Sequence, residues 1–101
     1  MIGHRKLTSL ELSELADRLE NVDESISRTY RYPLSDLIAN LREYDEKAVN
    51  EVEDEDGFPK YYYLQFRSPP LTWQLLCGRA GIYKIDASTL KVISFQLTEM
   101  N

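Results

Sequence analysis

The chain has one cysteine, one histidine and one tryptophan in 101 residues, with only four glycines and four prolines. A single thiol, Cys77, cannot close an internal disulfide, which suits a reducing, cytoplasmic setting better than a secreted one. One histidine and one cysteine, His4 and Cys77, lie far apart in the chain, so the His/Cys clusters of a structural zinc site are missing. No apolar stretch approaches the roughly 18 residues that span a membrane. The basic start, Arg5-Lys6, has no apolar segment behind it, so no signal peptide is expected. Positive charge is also scarce: 12 Lys and Arg stand against 17 Asp and Glu, a net of −5. Phosphate contacts need a basic footprint, so nucleic acid is not an expected ligand.

Hydrophobic residues make up 43% of the chain and aromatics 11%, more than a disordered chain carries. The length is that of a single domain, residues 1–101, with one core. Thr8-Ser9-Leu10-Glu11 is a capping-box pattern. Leu12, Leu15, Leu19, Val22 and Ile26 follow at three- and four-residue spacing, with Ala16 beside them. This predicts an amphipathic helix from Ser9, running towards Tyr30 or breaking near Asn21. Pro33 stops what precedes it. Leu34, Leu37, Ile38, Leu41 and Tyr44 then predict a second helix.

The second half has the period of strands. Tyr62, Leu64 and Phe66 alternate with Tyr61, Tyr63, Gln65 and Arg67. Tyr83 and Ile85 alternate with Lys84 and Asp86, and Ile93, Phe95 and Leu97 with Ser94, Gln96 and Thr98. Ala87 to Lys91 is a hairpin connection of ordinary length. The segment Lys47 to Glu53 can pair with the tyrosine strand, although like charges along an edge oppose it. Residues 69–77 fit either a strand or a short helix; Ser68, Pro69 and Gly78 as end signals favour the helix. The fold expected is α+β, with two N-terminal helices packed on one face of a three- or four-stranded, mostly antiparallel sheet. Its core is drawn from Leu12, Leu15, Leu19, Leu37, Ile38, Leu41, Leu64, Phe66, Ile85, Ile93, Phe95 and Leu97.

No catalytic constellation emerges. Cys77 sits among Leu75, Leu76 and Gly78, apolar surroundings that keep a thiol protonated and inert. Gly78-Arg79-Ala80-Gly81 lacks the lysine and hydroxyl of a phosphate-binding loop. Charge is the informative property. From Asp45 to Asp56 seven carboxylates face one lysine, a net of −6, so the other 89 residues together come to +1. Phe58-Pro59-Lys60-Tyr61-Tyr62-Tyr63 follows at once. With Tyr62 directed inward, Tyr61 and Tyr63 face outward together, and such tyrosines are enriched at interfaces. The candidate partner-binding residues are Glu51, Glu53, Asp54, Glu55, Asp56, Tyr61 and Tyr63, forming one face for a basic protein. The expected chain has no metal, no cofactor and no catalytic residues. The plain alternative is a regulatory or scaffolding domain whose acidic run is a solvated loop.

In this overall character the chain resembles the immunity proteins of bacterial toxin–immunity systems. The stretch Trp73-Gln74-Leu75-Leu76-Cys77-Gly78-Arg79-Ala80-Gly81, with the tail from Phe95 to Met100-Asn101, is similar to small bacterial proteins found in such settings. The resemblance covers about the last third of the chain and carries over no individual functional residue. It implies stoichiometric inhibition of a cognate toxin, often a nuclease whose basic active site a carboxylate array can occupy.

Overall fold

The computed structural model describes residues 2–22, 34–43, 48–68 and 79–98. Helix α1 (Ser9–Glu20) begins as its sequence dictates. The Thr8 hydroxyl accepts from the Glu11 amide at 3.2 Å while the Glu11 carboxylate accepts from the Thr8 amide at 3.2 Å, closing the capping box. The helix stops at Asn21, the earlier of the two expected ends. The Asn21 side chain donates to the Asp17 carbonyl at 3.0 Å and its amide to the Arg18 carbonyl at 3.2 Å. Its buried stripe is Leu12, Leu15, Ala16 and Leu19. Helix α2 (Leu34–Arg42) packs against α1 and over the sheet, burying Leu37, Ile38 and Leu41.

Among the described residues five strands form one antiparallel sheet in the order β1-β2-β3-β4-β5: β1 (Ile2–Lys6), β2 (Asn50–Glu55), β3 (Phe58–Ser68), β4 (Arg79–Asp86) and β5 (Val92–Thr98). The fold is therefore α+β with an antiparallel sheet, but strand count and helix placement differ from expectation. Among the described residues a strand precedes the helices, one helix, α1, follows it in the N-terminal segment, and α2 comes directly before β2. The described residues hold five strands where three or four were expected. The residues of β1 are paired along their length with β2, from Ile2 opposite Glu55 to Lys6 opposite Glu51.

The acidic segment forms β2 in spite of its charge. Val52 is fully buried at its centre. Asn50 accepts from the Gln65 amide through its side chain at 3.3 Å and from the Leu7 amide through its carbonyl at 2.9 Å. Asp56 and Gly57 then turn the chain in two residues, with φ of 53° and 84°. Both lie in the left-handed region that a type I′ hairpin requires, and Asp-Gly is the pair suited to it.

One core lies between the helices and the sheet, joining the leucines of α1 and α2 to Leu7, Val52, Leu64, Tyr83, Ile85, Leu90 and Val92. Phe95 is partly buried against it. Ile93, expected in the core, is 45% exposed. The cause is a bulge: Ile85 faces Val92 whereas Lys84 faces Ser94, so Ile93 is the additional residue. The bulge moves the inward face of β5 to Val92 and Phe95. The Phe95 ring lies across from Tyr83, centroids 4.5 Å apart, and over Gly81. A Cβ on Gly81 would run into that ring and stand 2.8 Å from the Gln96 carbonyl oxygen, so this close approach needs glycine. Expectations that fall on Tyr44, Asp45, Glu46, Trp73, Cys77 and residues 69–77, or on the side chains of Phe66, Arg79 and Leu97, lie outside what is described.

Candidate functional site

Strand register decides which polar side chains meet, because successive residues point to opposite sheet faces. On the helix side two rows run across the strands, Val52–Tyr62–Ile85–Val92 and Asn50–Leu64–Tyr83–Phe95. The outer face, opposite α1 and α2, carries the intervening residues. Lys6, Glu51, Tyr63, Lys84 and Ser94 form one row there. His4, Glu53, Tyr61 and Asp86 form the next. A third, at the hairpin end, runs Ile2, Glu55 and Phe58.

Four of the seven candidate residues are thus neighbours on one face: Glu51, Glu53, Tyr61 and Tyr63. They are held by contacts across the strands. The Tyr63 hydroxyl donates a long hydrogen bond to Glu53, 3.5 Å. His4 Nε2 lies 3.1 Å from Glu53 Oε1, and His4 Nδ1 lies 4.0 Å from Glu51 Oε2. The His4 ring stacks on Tyr63, centroids 5.6 Å apart and planes 29° apart. From the other side, Lys84 Nζ sits 4.2 Å from the Tyr61 centroid and 5.8 Å from that of Tyr63. All six side chains are at least partly exposed.

The other three candidates lie outside this cluster, and Asp54 leaves the face altogether, so the acidic run does not make one continuous face. Asp54 points to the helix side, where its carboxylate is 3.4 Å from Arg5 Nε. Arg5 in turn makes a two-pronged contact with Glu11 at 2.9 and 2.8 Å. This triad fixes β1 to β2 and to the start of α1. The guanidinium, with the Thr8 amide and hydroxyl, holds the Glu11 carboxyl down to about 2. Glu55 stays on the outer face at its hairpin end, 3.5 Å from Lys60. Asp56 occupies the turn itself.

His4 and Lys84 belong to this site and sequence reasoning missed both. Alternation in β4 already placed Lys84 opposite the core, on the side of Tyr61 and Tyr63 once the strands are paired. The register itself had no sequence signal. For His4 the missing information was that the first residues form a strand at all.

Among the described residues, no group of three or more His, Cys, Asp or Glu is disposed to hold a metal ion. No helix among them is long and apolar enough to cross a membrane. Compared with family models, curated proteins and solved structures, the chain matches none.

Proposed function

We propose that the chain is a protein-binding inhibitor, an immunity protein that neutralises a cognate bacterial toxin by stoichiometric occupancy in the cytoplasm. The binding surface in this reading is the outer sheet face, with Glu51, Glu53, Tyr61 and Tyr63 at its centre and Glu55 and Asp56 at one end. The observation that carries the reading is the register, which sets two carboxylates beside two tyrosines on one face. Tyrosine supplies area and a hydrogen bond at low entropic cost, while carboxylates speed encounter with a basic surface such as a nuclease active site. Inhibition by occupancy needs no cofactor, metal or turnover. Asp54 is left out of this surface because Arg5 already engages it.

The test is kinetic. Bound to its toxin domain, Tyr61→Ala or Tyr63→Ala should dissociate faster by about 1–3 kcal/mol if the rings are buried anchors. Glu51→Lys with Glu53→Lys should slow association and flatten its salt dependence, since exposed charges act on encounter. Unchanged rates in both sets would refute the surface. The pairing of Asp54 with Arg5 and of Glu55 with Lys60 favours a second reading, in which the acidic run is internally balanced and the domain is regulatory or a scaffold. In that case no toxin is inhibited.

A further inference from the structure

We infer that Tyr61 and Tyr63 form a cation-binding site that Lys84 occupies from within the chain, and that a partner's arginine or lysine enters by displacing it. This rests on the reading of the outer face as a binding surface and names the chemistry of the group that surface takes.

Lys84 arrives from β4 with its ammonium 4.2 Å from the Tyr61 centroid and 5.8 Å from that of Tyr63. Both distances are within the reach of an attraction between a cation and the negative face of a ring. Among the described residues Lys84 has no carboxylate within ion-pair distance; Glu51 and Glu53 lie on the same face but on β2, with the tyrosines of β3 between them and Lys84. An ammonium held by rings alone is weakly held, because an exposed cation–π contact is a small attraction. Tyr63 is braced on its other side by His4 and by its hydrogen bond to Glu53, so the site keeps its shape when the lysine leaves. A guanidinium is the better occupant. It stacks flat on an aromatic face, and its outward N–H groups can fork onto a carboxylate such as Glu53 or Glu51. Lys84 therefore acts as an internal competitor that shields the tyrosines in the free protein.

The experiment titrates a capped hexa-arginine peptide into the full chain at low salt by calorimetry. The proteins are wild type, Lys84→Gln, Lys91→Gln and the double variant Lys84→Gln with Tyr61→Leu. Lys91 is exposed in the β4–β5 connection, so its variant matches the loss of one positive charge without touching the rings. Lys84→Gln should bind the peptide roughly two- to fivefold more tightly than Lys91→Gln, the range expected for an exposed cation–π contact. Adding Tyr61→Leu should remove that gain. Equal affinities for the two glutamine variants, a gain that survives loss of the Tyr61 ring, or no peptide binding at all would each overturn the inference. Failure to inhibit any toxin would remove the proposed function while leaving a positive peptide result standing; a toxin bound equally well by both glutamine variants would remove only the inference.

Discussion

At the scale of single residues, Glu11 does two jobs that the sequence showed only in part. Its capping role follows from its place three residues after Thr8. Its grip on Arg5 does not, because nothing in the local sequence places a β-strand residue against the first turn of the helix. The Glu11 carboxyl is held down to about 2, first by Arg5 and then by the Thr8 amide. A carboxyl depressed in the folded state adds stability that is present above its unfolded value near 4.5 and is lost as pH falls towards 2. Glu11 is 32% exposed and Arg5 50%, so solvent screening reduces the effect well below the full shift, to about 1 kcal/mol. Glu11→Gln should therefore destabilise the protein by about that amount at pH 7, and the gap to wild type should close between pH 4.5 and 2. Urea denaturation of both proteins across that range checks the prediction. Leu90 shows a different compromise at this scale: it accepts φ of 62°, strained for a branched side chain, in return for a place in the core.

At the scale of elements, legibility followed the strength of the periodic signal. The helices were readable because Leu12, Leu15 and Leu19, then Leu37, Ile38 and Leu41, repeat at helical spacing, and all six are buried. β3 and β4 were readable from alternation. β2 was obscured because only Val52 breaks a run of polar residues, and its pairing gains come from neighbours rather than from its own composition. β1 was invisible: all five of its residues are exposed, so no hydrophobic period marks it. The bulge that turns Ile93 outward had no sequence mark either, whereas Phe95, expected on the same side, does pack against the core. Of the candidate surface, the tyrosine pair was legible from alternation. The departure of Asp54 to the other face follows from the same period of two, which a contiguous acidic run disguises.

The hairpin between β2 and β3 is the element on which the outer face depends, because its turn, together with the bulge that leaves Lys60 as an additional residue, fixes which carboxylate stands opposite which tyrosine. Gly57 has φ of 84° with open space where a side chain would sit, so the cost of substituting it is conformational rather than steric. Gly57→Ala should lower stability by about 1 kcal/mol or somewhat more. Thermal unfolding measures that loss, and amide spectra of the folded variant should show shifts concentrated in Glu53 to Tyr61. A variant as stable as wild type would mean that the turn does not set the register.

At the scale of the whole molecule, the two sheet faces are divided in labour. One face carries α1, α2 and the core; the other carries acids and tyrosines bracketed by His4 and Lys84. Ile2 and Phe58, 64% and 72% exposed, extend that outer face at its hairpin end with apolar area beside Glu55. The most direct test of the proposed function is cross-saturation mapping of the isotope-labelled chain bound to the unlabelled toxin domain that the proposal requires. The proposed assignment requires signal loss at amides of the outer face, centred on Glu51, Glu53, Tyr61, Tyr63 and Lys84, with α1 and α2 unaffected. Loss centred on the helices, with the tyrosine rows unchanged, would contradict it.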